Sequence, residues 1–333
     1  MSIPPDAREV STLKRFRWAA GLLGLTMTLG CSFVDQAARA KSRKFERVGV
    51  TSHVANLGPD QIRYWEGGRP DGETVLLLHG FGADALWQWH PQIRALAKQY
   101  RVVAPDLLWF GESSSDDPTY SIEHQARAVL ALLDHEDVDT VHLVGVSYGG
   151  MVAHEVMGQA PGRVERVILV ASPARAFLVA DKEEVLAEYG AASVEDLLLP
   201  QTPAELRRLM SLAYQKPPRV PKFVAQGVLD RYYRPHRPNH LELLRAVEDN
   251  TKVHRTRFQA PPHPTLIIWG EYDRVFPKKA AFRIHEELGG RSTLCVFDDA
   301  AHAPHLERAD DVIPMMQRFL RGDALECDPK ELR

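Results

Sequence analysis

Short apolar runs recur along this chain, and between them apolar positions fall at helical spacing. Thr74-Val-Leu-Leu-Leu78, Arg101-Val-Val-Ala-Pro105, Val141-His-Leu-Val-Gly-Val146 and Val164-Glu-Arg-Val-Ile-Leu-Val-Ala171 read as strands buried on both faces. Gln88–Lys98, Ile122–Leu133 and the stretch after Gly150 read as the helices between them. That alternation predicts right-handed βαβ crossovers, and so an α/β fold with a mostly parallel central sheet flanked by helices. Gln61-Ile-Arg-Tyr-Trp65 alternates polar and apolar residues and predicts one strand of a hairpin.

The pattern changes after Pro173. Up to Pro262 there is no strong strand, only Leu-, Ala-, Glu- and Arg-rich stretches such as Pro203-Ala-Glu-Leu-Arg-Arg-Leu-Met210. This predicts a helical insertion over 173–262 within a core of 45–172 and 263–321. Strand chemistry resumes at Pro264-Thr-Leu-Ile-Ile-Trp269 and Ser292-Thr-Leu-Cys-Val-Phe297, with helices expected over Lys278–Leu288 and Asp311–Leu320. Residues 322–333 read as a tail.

The amino terminus follows another pattern. Lys14-Arg-Phe-Arg17 precedes an uncharged run from Trp18 to Leu29, a basic region before an apolar one, as in secretory signals. Thr28-Leu-Gly-Cys31 resembles the lipobox of bacterial lipoproteins, whose Cys is acylated, except that Thr28 stands where Leu is usual. Residues 1–44 are therefore expected to be a signal, lipoprotein or membrane-anchor segment with its linker, outside the fold, with Cys31 as a candidate for lipidation. Membrane association or export follows, with a secreted soluble protein as the alternative.

A net charge of −3 gives no sign of a nucleic-acid surface. No C-x-x-C or His/Cys cluster suggests a metal, and no cofactor is expected. With three cysteines, an odd number, a disulfide framework is not expected, and Cys295 reads as a small buried apolar residue.

The chemistry centres on Gly145-Val-Ser-Tyr-Gly149. Strand, tight turn and helix make this G-x-S-x-G a nucleophile elbow, with Ser147 at a strained turn position and glycines where strand and helix crowd together. A serine hydroxyl needs a base and an orienting acid. In this topology they follow it in the order acid, then His, at strand carboxyl ends. Asp273, four residues beyond Trp269, and His302, after the last strand, meet both conditions. Glu271 and His305 are local rivals, His305 being read as a loop support or a partner of Glu307; Asp106 ends a strand but precedes the serine. The oxyanion hole needs two backbone N–H groups, assigned to Tyr148 and, after His79-Gly80, to Phe81.

Together, His79-Gly-Phe-Gly82, Pro105-Asp-Leu-Leu-Trp-Phe-Gly-Glu-Ser113, Gly145-Val-Ser-Tyr-Gly-Gly150, Gly270-Glu-Tyr-Asp273 and His302-Ala-Pro-His-Leu-Glu307 resemble the α/β-hydrolase fold superfamily over about residues 48 to 321. The amino-terminal segment and, in the insertion, Thr202-Pro-Ala-Glu-Leu206 and Lys222-Phe-Val-Ala-Gln-Gly227 are similar to membrane-associated monoacylglycerol lipases and related bacterial lipases. The resemblance implies Ser147, Asp273 and His302 as the triad and the insertion as a cap over the site.

The expected activity is a serine hydrolase of carboxylic esters with small-molecule or lipid-like substrates. Phe177, Leu178, Leu197, Leu198, Leu199, Met210, Phe223 and Val224 are candidates for an acyl pocket. The alternatives are an amide, peptide or C–C bond hydrolase, a cofactor-free perhydrolase, or a small-molecule sensor that keeps the fold.

Overall fold

A computed structural model describes residues 33–174, 176, 178–253 and 262–327. Its centre is a sheet in the order β1-β2-β4-β3-β6-β7-β8-β9, with the two-residue β5 (Ser114–Ser115) against β2. The hairpin strands β1 (Val50–Leu57) and β2 (Asp60–Gly68) pair antiparallel, and β2 lies antiparallel to β4 (Arg101–Pro105). From β4 onward, β3 (Thr74–Leu78), β6 (Val141–Val146), β7 (Val164–Val170), β8 (Thr265–Gly270) and β9 (Ser292–Phe297) run parallel.

The central strands are apolar throughout because helices cover both faces, and successive side chains still divide between the two. Leu76, Leu78, Leu143, Leu169 and Trp269 pack with α4 (Ile122–His135), α5 (Tyr148–Gln159) and α11 (Lys279–Leu288). Val75, Leu77, Val144, Val170 and Ile268 pack with α3 (His90–Leu96) and α13 (Ala309–Leu320).

The helix expected over Gln88–Lys98 is instead two, α2 (Ala85–Gln88) and α3, separated at Trp89. Pro91 stands in the first turn of α3, where its missing N–H costs nothing. Between β7 and β8 the described residues carry α6 (Val179–Glu188), α7 (Val194–Leu198), α8 (Pro203–Ala213), α9 (Lys222–Val228) and α10 (Arg237–Val253), and no strand. A π-helical turn, Leu229–Tyr233, continues α9.

Two expectations are corrected. Residues 33–44, the described part of the segment expected outside the fold, belong instead to a helix over 33–46, α1. Its Val34 joins the apolar cluster of α8 and α9, while Ala38 and Phe45 enter the core, Phe45 edge-on to Trp65 at 4.9 Å. Cys295 is buried, as expected, but is bonded to Cys327, because the chain after α13 crosses back to β9 and brings their Cα atoms within 5.1 Å. Cys31 lies outside the described residues. No described helix is long and apolar enough to cross a membrane.

Candidate active site

Ser147 joins β6 to α5 at φ 52° and ψ −121°, a region that a side chain enters only under strain. Close packing maintains it. A Cβ on Gly145 would lie 2.5 Å from the Gly149 carbonyl oxygen, and one on Gly149 would lie 2.2 Å from that of Leu78. The Ser147 N–H donates to Val170 O at 2.9 Å, fixing the turn to β7.

Asp273 and His302 stand at the carboxyl ends of β8 and β9. His302 Nδ1 lies 2.9 Å from Asp273 Oδ2 and 3.1 Å from Oδ1. Oδ1 also accepts the N–H groups of Val275 and Phe276, each at 2.9 Å. Phe276 meets the imidazole edge-on at 5.5 Å. Ser147 and His302 line one cavity of about 270 Å3, which Phe81 and Tyr148 also border. Its walls are mostly apolar and come largely from the insertion, including Val185, Leu209, Leu212 and Leu244. Of the residues expected at an acyl pocket, Leu197, Leu198 and Met210 are there. Leu199 and Val224 pack instead in the cluster of α8 and α9, and Phe223 is exposed. Phe177 lies outside the described residues.

The rivals are occupied elsewhere. Glu271 pairs with Lys278. Asp106 pairs with Arg63 at 3.2 Å, accepts the Ala85 N–H at 3.0 Å and lines a separate cavity. Burial, and then the charge of Asp106, raises the pKa of the nearby Asp84 carboxyl above its usual value. His305 is fully buried and packs on Trp89 at 5.0 Å; burial lowers its pKa to about 3. Of its two expected roles, loop support or packing with Glu307, no hydrogen bond supports the second, since neither ring nitrogen has a partner among the described residues. Glu307 instead accepts the N–H groups of Ala301 and Gln215, each at 2.7 Å.

Two further side chains shape the loop after β3. His79 Nδ1 donates to Gly80 O at 2.8 Å, while Nε2 accepts the Leu107 N–H at 2.9 Å. Those partners require the neutral ring, and burial lowers its pKa to match. Gln88 Oε1 accepts the Gly80 N–H at 2.6 Å. The His-Gly pair pointed to this loop, but nothing near Gln88 in the sequence signalled its partner.

A family model described as the alpha/beta hydrolase fold matches residues 73–309. The chain belongs to the α/β-hydrolase fold family. It is 31% identical over 274 residues to a Pseudomonas putida protein named as the dihydrolipoyllysine-residue acetyltransferase component of an acetoin cleaving system, covering 82% of this chain and 70% of that one. Lipase 1 of Psychrobacter immobilis is 26% identical over 319 residues, covering 92% of this chain and 97% of the lipase. The crystal structure of a membrane phospholipase A superposes with a TM-score of 0.73 at 25% identity, covering 94% of this α/β-hydrolase and 97% of that chain. Family and relatives together support hydrolase activity in general.

Proposed function

We propose that this α/β-hydrolase cleaves carboxylic esters of lipid-like character through an acyl-enzyme on Ser147. The observation that carries this reading is that Ser147 and an Asp273-braced His302 face one largely apolar cavity. Ser147 Oγ attacks the ester carbonyl carbon as His302 Nε2 takes its proton. The N–H groups of Phe81 and Tyr148 receive the developing oxyanion. The tetrahedral adduct collapses, the C–O bond breaks, and His302 returns the proton to the departing alcohol. Water then repeats the attack, freeing the acid and Ser147. Asp273 orients the imidazole and offsets its positive charge.

In this reading 173–262 is a cap whose apolar side holds the acyl chain, and the basic and apolar stretch before α1 directs export or membrane attachment, with Cys31 as a lipid acceptor. The Cys295–Cys327 bond supports an oxidising compartment.

The test is turnover of p-nitrophenyl butyrate, octanoate and palmitate and of a monoacylglycerol. It compares the full chain, a form lacking residues 1–32, and Ser147→Ala. The shortened form retains α1, which packs into the fold. Serine-dependent turnover rising with acyl length is expected. Fluorophosphonate labelling of Ser147 without ester turnover would move the substrate to amides or C–C bonds. Turnover in Ser147→Ala above about a thousandth of wild type would remove the nucleophile assignment.

A further inference from the structure

We propose that Glu307 is a positioning residue that ties the His302 loop to the end of α8, so that the pocket wall sets where the base stands. This rests on the ester-hydrolase reading of Ser147, Asp273 and His302.

Glu307 closes α12 (Pro304–Glu307), directly after the His302 loop. Its Oε1 accepts the N–H of Ala301, the residue before His302, and its Oε2 accepts the N–H of Gln215, just beyond α8. On the other side of His302, the Ala303 N–H donates to Ala213 O at 3.1 Å. Arg274, the neighbour of Asp273, donates to Ser211 O at 2.7 Å and to Gln215 Oε1 at 3.3 Å. Backbone after the base and a side chain beside the acid are therefore bonded directly to one short segment, 211–215, and backbone before the base reaches it through Glu307. Leu212, Ala213 and Tyr214 of that segment line the cavity. An acyl chain in the cavity would press on the piece of chain that holds the base in place.

A carboxylate suits this position. It has two acceptor oxygens and no donor to oppose either amide, and bonds to an ionised acceptor are the stronger ones. A glutamine can accept from one amide only and turns its own NH2 toward the other.

The test measures kcat and KM on p-nitrophenyl butyrate for Glu307→Ala, Glu307→Gln, Gln215→Ala, Gln215→Pro and the Glu307→Ala/Gln215→Pro double variant, with melting curves on each. Proline at 215 removes the amide that Oε2 accepts and leaves Glu307 bonded to Ala301. Tyr214, at φ −126° and ψ 140°, already has the extended backbone that a following proline requires. Displacing the base should lower kcat about tenfold to a hundredfold in Glu307→Ala, with KM within about twofold. Glu307→Gln should fall between that variant and wild type. In the double variant, proline should add only what Gln215→Ala costs alone through loss of the Arg274 contact, because its bond to Glu307 is already gone. Wild-type kcat in Glu307→Gln and Gln215→Pro, or losses of Glu307→Ala and Gln215→Pro that multiply in full in the double variant, would overturn the proposal. If Glu307→Ala fails to fold, kcat of Glu307→Gln decides. Failure of the underlying reading appears separately, as turnover retained in Ser147→Ala.

Discussion

The Asp273 carboxylate lies 2.9 Å from His302 Nδ1, and its side chain is wholly excluded from solvent while the imidazole is 12% exposed. The acid can therefore exchange its partners for water only by moving its loop. Two further amides, of Val275 and Phe276, bond the same carboxylate, and the imidazole beside it lines the cavity. Asp273→Asn keeps the size and removes the charge. Its kcat on p-nitrophenyl butyrate should fall about 10³–10⁴-fold with KM little changed. A loss below tenfold would mean that His302 is oriented by something else.

His305 should make the fold sensitive to acid. Burial lowers its pKa from the usual 6.5 to about 3, so across that window the unfolded chain binds a proton that the folded chain refuses. Stability is then full above 6.5 and falls as the pH is lowered, by up to about 1.4 kcal/mol per pH unit. His305→Phe removes this pH dependence. Chemical denaturation at pH 7.5 and pH 5 should show a smaller loss in the variant than in wild type, and equal losses would refute the assignment.

Two glycines of α5 should respond in opposite ways to alanine. At Gly149 the new Cβ would sit 2.2 Å from the Leu78 carbonyl oxygen, where only backbone can give way, so Gly149→Ala should cost more than about 3 kcal/mol. At Gly158 nothing lies within 4 Å, and alanine should add about 0.5–1 kcal/mol through helix propensity. Melting temperatures of the two variants make the comparison.

The Cys295–Cys327 bond closes a loop of sequence separation 32. Cys327→Ser should lower stability by about 2–4 kcal/mol under oxidising conditions. Dithiothreitol should destabilise the parent to the same extent and leave the variant unchanged. A parent indifferent to reductant would argue against the bond in solution.

The strands and their order in the chain were legible because a strand buried on both faces must be apolar throughout, and few other structures produce such runs between helical stretches. The elbow was legible for a related reason, since Gly145 and Gly149 occupy places where any side chain would strike backbone. Asp273 and His302 could be named because sheet topology places reactive loops at strand carboxyl ends.

What the tertiary structure alone decided depends on contacts between distant residues. Whether Glu271 or Asp273 faces His302 turns on which of them Lys278 engages. The inclusion of residues 33–46 in the fold turns on apolar surfaces of α8, α9 and β2 that no local pattern near Val34 or Phe45 reveals. Counting cysteines could not pair Cys295 with Cys327, because the bond depends on where the chain goes after α13. Glu307 stood in view within His302-Ala-Pro-His-Leu-Glu307, but its second amide is at Gln215, 92 positions away. Local sequence sets which element forms and what chemistry it carries; the partner of each polar group is chosen only when the chain closes on itself.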